Sequence, residues 1–555
     1  MNRLLYKSVW VLLLSIILIF PALGNSSLFP PPQQFPNQHS PLGTNTKVAD
    51  ATNTNLPFVD LFRLAQPFSE NIPKLSSPMV VYDDQGWPKL LNGGQAGTTF
   101  LSKIPAGALS KGEYTVRYDG VGEISYTGDA ILVSRMSGKD IIRFKAGSDK
   151  VISAGLTIKD SLPDDYLRNI RILMPGGICA NNATYTVKDA SLCKDHPYLS
   201  FADHHRQIIF KPDYLNYLKD FKVLRFLELS GGAQQLMVDW QARPTTQQAS
   251  WGGSSLVRGV PVEIMVELSN QLNINPWFNM PYAASDHYIS RFAQLVKNQL
   301  KPNLKVFVEY AAEPWSNKHI DQKKRLQSLG TQQNLDTNAH IAALKYYAKR
   351  SVEAFKIWDK VLGDSSRLVR VLSAPVDNVA SSQIILEHEG AAKYADALAI
   401  YPSFEISEQS LAVINSTHDV FEALASSDNP KSINNMQDRV KELAALANSK
   451  NLNLISYAGG QSIKQAILPK ASRSTAYHLS AANRDARMAR EFYRFLSGWK
   501  KSGGNLFVTG TEIDVLSAQP SLGIKEYINQ PNSELPKYQA LLAFKRGQRC
   551  WWRDC

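Results

Sequence analysis

The chain has 555 residues, 44% of them hydrophobic and 20% charged, with a formal net charge of +12. These values describe a globular protein with a sizeable core and room for about two or three domains, and exclude a fibrous or wholly disordered chain. Lysine and arginine are scattered with no run of five or more, so the positive balance reads as a solubilising surface, and no nucleic-acid partner is expected.

Arg3 and Lys7 introduce an apolar stretch over 8–20, followed by the small-residue site Ala22-Leu23-Gly24. This is the layout of a secretory signal peptide, residues 1–24, cleaved before Asn25. An uncleaved anchor is the alternative, but the apolar stretch is short for a span. A secreted or periplasmic protein, off the membrane after cleavage, is expected. The four cysteines agree with export. Cys179 lies near Cys193 and Cys550 near Cys555, two close pairs that an oxidising compartment would join as disulfides. No Cys-x-x-Cys spacing occurs, and neither a metal nor another cofactor is expected.

Residues 25–56 are rich in Pro, Gln, Asn, Ser and Thr and read as a disordered linker. Over 57–166, short alternating runs such as EYTVRYDG, AILVSRM and DIIRFKAG are separated by turn residues, which predicts an all-β, sandwich-like domain. From 167 to 545 strand-like and helix-like patterns alternate. The predicted strands are RNIRILMPG, FKVLRFLELSG, NINPWFNMP, NLKVFVEYAAE, RLVRVLSAP, ADALAIYPSF, NLNLISYAGG and GNLFVTG. Amphipathic helices are predicted over 286–300, 338–362, 433–450 and 481–500, and LPKYQALLAF closes the series. Eight such units make an α/β fold, a (β/α)8 TIM barrel preceded by the β-domain. The pair Cys179 and Cys193 then falls in an insert after the first strand. Residues 546–555 form a disulfide tail, either a capping hairpin or an exposed patch.

In this fold the active site lies where the strands end. The strand ends and the loops after them carry Arg225, Trp240, Arg243, Trp277, Asn279, Tyr310, Trp315, Tyr401 and Tyr457. Aromatic faces stack on pyranose rings while Arg and Asn bond hydroxyls, so these residues predict a site for a polysaccharide or oligosaccharide. Packing inside the barrel is the alternative for each aromatic. Carboxylates stand at Glu309 and Glu313 after strand 4, at Glu228 after strand 2, and at Glu512 and Asp514 after strand 8. Glu309, four residues before Glu313, is expected to make an ion pair inside the barrel.

The stretches VLRFLEL, WQARP, INPWFNMP, VFVEYAAEPWSN, YAGGQ and PKYQALL, with FVDLFR, DDQGWP and YTVRYDG before them, carry a family likeness. The chain resembles, over roughly 57–545, a bacterial family of secreted glycoside-hydrolase-like barrels labelled as cellulose-binding or glycosidase proteins, itself similar to the retaining clan of TIM-barrel glycosidases. The resemblance implies a general acid/base at Glu313 and a nucleophile at the end of strand 7. It also exposes departures. Ala312 replaces the Asn expected before the acid/base, Ala458 stands at the nucleophile position, and Tyr282 replaces a His after strand 3. A retaining glycosidase needs two carboxyl groups about 5–5.5 Å apart, and an inverting one about 6.5–9.5 Å. A methyl group can neither attack an anomeric carbon nor stabilise an oxocarbenium ion.

A catalytically degenerate glycan-binding protein is therefore the first expectation. The second is an active glycoside hydrolase pairing Glu313 with a relocated carboxylate, Glu512 or Asp514. The third is a structural or adhesive envelope protein with a vestigial cleft. Glycan identity, oligomeric state and the role of the β-domain stay open at this level.

Overall fold

The computed structural model describes residues 36–70, 79–233, 236–253, 258–463, 473–513, 523–552 and 555. The predicted signal peptide, the first part of the predicted linker and Asp514 lie outside the described residues. Eight parallel strands close into a barrel in sequential order. They are β1 (Leu42–Asn45), β2 (Val223–Arg225), β3 (Asn275–Met280), β4 (Val306–Tyr310), β5 (Leu368–Ser373), β6 (Ala397–Ile400), β7 (Asn453–Ser456) and β8 (Phe507–Thr509). The helix layer comprises α1 (Pro212–Leu218), α2 (Val262–Leu272), α3 (Asp286–Gln299), α4 (Ala339–Leu362), α5 (Val379–Glu387), α6 (Ile433–Ser449), α7 (Arg487–Lys501) and α8 (Pro536–Gly547). Local chemistry sets the ends of these helices. The Asn338 side chain accepts the amides of His340 and Ile341 at the start of α4, and Gly363, at φ 73°, ends it. The (β/α)8 architecture is thus the one expected.

The first strand corrects the sequence reading. It lies at 42–45, inside the stretch read as linker, and pairs in parallel with both β2 and β8. Leu-Gly-Thr-Asn has no apolar run, and its stability comes from closeness and polar bonds. A Cβ on Gly43 would lie 2.8 Å from Val508 Cγ2 and 2.9 Å from the Val223 carbonyl, so only glycine lets the three strands approach. The Asn45 amide donates to the carbonyls of Tyr457 and Thr509, both at 2.8 Å. Thr509 donates its hydroxyl to that of Thr44 at 2.8 Å. These bonds satisfy polar groups that burial would otherwise penalise.

RNIRILMPG is a strand, but not of the barrel. Arg168–Leu173 pairs antiparallel with Tyr114–Asp119. It belongs to a sheet that continues through Lys139–Phe144 to Ala130–Met136. A second sheet orders Ser69–Glu70, Ala96–Pro105, Val151–Ser161 and Gly122–Gly128. Phe100 of the second sheet and Phe144 of the first lie 6.1 Å apart between ring centroids, where buried side chains of both sheets meet. The chain leaves and re-enters the barrel side by side, through an antiparallel bridge between Phe58 and Phe210. The β-rich region is therefore an insertion between β1 and α1, not a domain preceding the barrel, and it extends past 166. Its last part is a small sheet of Asn182–Val187, Gly177–Cys179 and Tyr198–Ser200. The Cys179–Cys193 disulfide closes a loop there over a sequence separation of 14, worth about 3 kcal/mol in a chain-entropy estimate.

The tail is docked. Cys550 and Cys555 are bonded, the Cys550 amide donates to the His39 carbonyl at 3.1 Å, and Trp551 Nε1 donates to the Gly504 carbonyl at 3.0 Å. Among the described residues no helix is long and apolar enough to cross a membrane.

Candidate functional site

Strand β4 delivers two glutamates into opposite environments. Glu309 is 0% exposed, and five hydrogen bonds converge on its carboxylate. Arg225 donates from Nε and Nη2 at 3.2 and 3.0 Å, Trp277 from Nε1 at 3.1 Å, and Asn279 from Nδ2 at 2.7 Å. Ser373 donates to the other oxygen. Arg225, 3% exposed, also donates to Asn45 Oδ1 at 3.2 Å and lies between the rings of Trp277 and Tyr457. A buried pair of this kind is tolerated because its remaining donors and lone pairs are satisfied. It is barrel interior, as expected for Glu309.

The chain then leaves the strand through two residues in left-handed conformation, Ala311 at φ 56° and Glu313 at φ 48°. Neither is glycine, and each such residue costs about 1–2 kcal/mol. The turn aims Glu313 at the end of β7. The Tyr457 hydroxyl donates to Glu313 Oε1 at 2.7 Å, and His319 Nε2 lies 3.4 Å from Oε2. The Glu313 side chain keeps 21% of its surface exposed. Burial works to raise its pKa. The hydrogen bonds from His319 and Tyr457, with the positive charge of Lys318, outweigh burial and hold the carboxyl at about 2. Tyr457 is pushed well above the usual phenol range, first by burial and then by the charge of Glu313, so it stays a proton-bearing donor.

Ala458 follows Tyr457 directly and packs, half-buried, against the apolar barrel interior that includes Trp277 and Tyr457. Tyr401 stacks on Tyr457 with centroids 6.1 Å apart and an interplanar angle of 19°. Burial pushes the Tyr401 phenol up, and the charges of Glu405 and Glu313 both add to this, so two carboxylates act on one ring. Glu405, in the loop after β6, is buried and accepts from Lys431 at 2.8 Å and from Ser403 at 3.1 Å. Sequence reasoning missed Glu405 and His319. The signal for His319 was the adjacent Lys318-His319 pair, which closes the short helix Asn317–His319 after Glu313; Glu405 left none, because β6 ends without an acidic motif.

Several residues expected to bind sugar are elsewhere. Trp277 is 0% exposed and stacks on Phe307. Tyr310 is buried, donates its hydroxyl to the Tyr282 carbonyl at 2.7 Å and stacks on Tyr347. With Arg225, these two are corrected from mouth to interior, because strand side chains alternate between the barrel lumen and the helix layer. Trp240 lies edge-on to Tyr288 and Phe292 of α3 under the Arg243 guanidinium, and Arg243 pairs with Glu263 of α2 at 2.6 Å. Both therefore cover helices. Asn279, Trp315 and Tyr401 remain half-buried. Tyr282 and Ala312 are buried beside a cavity of about 40 Å³, room for a water or two.

Glu512 is 1% exposed and faces the helix layer. It accepts the Lys47 amide at 2.8 Å and the Tyr214 hydroxyl of α1 at 3.3 Å. Burial dominates these bonds and raises its carboxyl to about 8. Among the described residues it has no partner in common with Glu313, and its contacts with Lys47 and Tyr214 correct its expected place across the mouth. Among the described residues, no group of three His, Cys, Asp or Glu could hold a metal ion.

No family model matches the chain, and no curated protein matches it. Among solved structures it is similar to native xylanase 10B from Thermotoga maritima, with 9% identity and a TM-score of 0.33 over 60% of this chain and 91% of that one. It is similar to native xylanase 10C from Cellvibrio japonicus, with 10% identity and a TM-score of 0.34 over 86% of this chain and 98% of that one. A modular endo-beta-1,4-mannanase from Cellulomonas fimi matches with 11% identity and a TM-score of 0.31 over 60% of this chain and 65% of that one.

Proposed function

We propose that this protein is an exported glycan-binding barrel that holds a polysaccharide or oligosaccharide at the mouth without cleaving it. One observation carries the reading: Glu313 is surrounded by proton donors, with the Tyr457 hydroxyl at 2.7 Å and His319 at 3.4 Å, while a methyl group follows Tyr457 at Ala458. A general acid must carry a proton at working pH, which requires a raised pKa. Glu313 is held at about 2 and stays charged. A fixed carboxylate accepts hydrogen bonds from sugar hydroxyls, and the half-buried Tyr401, stacked on Tyr457, offers a ring near it. Glu309 is saturated by its own donors and supplies no nucleophile.

Among the described residues, the reading of an active hydrolase has its best second carboxylate in Glu405, because the charges of Glu405 and Glu313 both act on Tyr401. Its ion pair with Lys431 weighs against that role. Binding and turnover on a panel of β-linked glycans decide between the two. Retention of a glycan with no reducing sugar released is the expected result. Release of product that Glu313→Gln or Glu405→Gln abolishes would establish hydrolysis instead. A folded protein that retains none of the glycans would leave the third reading, an envelope role with a vestigial cleft.

A further inference from the structure

A cavity of about 550 Å³ lies where the inserted domain meets the loop after β2 and the start of α2, sharing no residue with the barrel mouth described above. Four arginines, Arg63, Arg117, Arg171 and Arg206, line it against two aspartates, Asp60 and Asp119. Four positive charges less these two negative ones leave about +2, and Asp203, paired with Arg117 at the edge, lowers this to about +1.

Both aspartates have partners among the described residues. Asp60 Oδ1 accepts the amides of Phe62 and Ile172 at 3.1 and 2.9 Å. Its Oδ2 makes no hydrogen bond among the described residues and lies 3.5 Å from Arg63 and 3.4 Å from Arg171 as a shared ion-pair contact. Asp119 accepts from the Asn169 amide at 2.8 Å. Beyond these carboxylate contacts, Arg63 and Arg171 donate to backbone carbonyls. Arg63 donates to the Gln248 carbonyl at 2.9 Å, with its guanidinium 4.4 Å over the Trp251 ring. Arg171 donates to the neighbouring Ile170 carbonyl at 2.8 Å. Arg117 pairs with Asp203 at 2.7 Å, but its buried Nε has no partner among the described residues, and neither has Trp251 Nε1. Burial, then the positive charge of Arg171, draw Arg63 down to about 9, with Asp60 offsetting them only in part. Burial is the larger cause and the neighbouring guanidinium of Arg171 the smaller, and an anion in the cavity would offset both.

We propose that this seam cavity binds an oxyanion carried on a molecule of sugar size, a carboxylate or a phosphate ester, recognised by the guanidinium groups of Arg63, Arg117, Arg171 and Arg206. Guanidinium forks match both oxyanions in geometry, and the volume falls within the roughly 300–1,000 Å³ of small-molecule sites. The site does not depend on the reading of the barrel mouth.

Calorimetry on the full chain tests it, with glucuronate, glucose 6-phosphate and glucose titrated at low and high salt. The expected result is that at least one acid binds, more weakly at high salt, and that glucose does not bind comparably. Arg117→Gln and Arg206→Gln, both on the outer part of the cavity, should each weaken that binding about tenfold without lowering the melting temperature. Glu313→Gln should leave it unchanged, which separates this site from the mouth. Preference for glucuronate or for glucose 6-phosphate identifies the oxyanion as carboxylate or phosphate. Absence of heat with both acids, equal binding of glucose, indifference to both arginine changes, or loss of binding in Glu313→Gln would each overturn the proposal.

Discussion

Replacing Tyr457 by phenylalanine removes one hydroxyl and nothing else from the face of Glu313, which makes it the sharpest probe of the mouth. The fall of the Glu313 pKa from the ordinary 4.5 to about 2 corresponds, at 1.36 kcal/mol per unit, to about 3 kcal/mol favouring the charged form. A hydrogen bond to a charged group contributes about 1.5–3 kcal/mol, so the 2.7 Å bond from Tyr457 accounts for half of that or more. In Tyr457→Phe the burial that opposes ionisation persists while a main support of the charge is gone. Glu313 should then titrate about one to two units higher. The linkage has a definite sign. A carboxyl depressed in the folded state adds stability that is fully present above pH 4.5 and is lost as pH falls towards 2. The variant should therefore be less stable than wild type by about 2 kcal/mol at pH 7, with the difference closing in acid. Carboxyl carbon resonances of glutamate-labelled protein, assigned by comparison with Glu313→Gln, follow the titration, and urea midpoints follow the stability. A wild-type Glu313 that titrates at or above 4.5, or a variant whose titration does not move, would refute the account of this site.

Two further predictions test the frame around it. Gly43→Ala places a methyl 2.8 Å from Val508 Cγ2 and 2.9 Å from a backbone oxygen, and should destabilise the chain by about 1–3 kcal/mol in calorimetric unfolding; a flexible linker would not register the change. Glu512, at about 8 against an ordinary 4.5, binds protons more tightly folded than unfolded, so stability should decline as pH rises from 4.5 to 8, by up to about 4–5 kcal/mol. Glu512→Gln should flatten that decline in urea midpoints between pH 5 and 8.

Seven of the barrel strands lie within segments that their apolar runs had marked as strands. The eighth was misplaced, and the reason is physical. Periodicity reports that a segment is extended and half-buried, not which strand it pairs with. Arg168–Leu173 has the stronger pattern, yet its partner is the antiparallel Tyr114–Asp119. Leu42–Asn45 is held by two flanking strands and by side-chain bonds to residues 412 and 464 positions away. Such long-range support leaves no local trace in a sequence of Pro, Asn, Ser and Thr.

The site divides along the same line. The strand-end rule brought Glu313, Tyr457 and Ala458 to one rim because it follows from the barrel alone. It could not rank depth: Arg225, Trp277 and Glu309 sit within a few residues of strand ends and are nonetheless sealed in the lumen. What separates Glu309 from Glu313 is backbone conformation, two positive φ values at Ala311 and Glu313 in residues whose identity does not announce them. That strain has a consequence for function. It holds the outer carboxylate against a phenol and an imidazole, an arrangement that stabilises charge, whereas acid catalysis at the same position requires the carboxyl to be left unsupported until the substrate arrives. On the reading proposed above, the turn that presents Glu313 to a ligand leaves it a charged acceptor for hydroxyl groups rather than a proton donor.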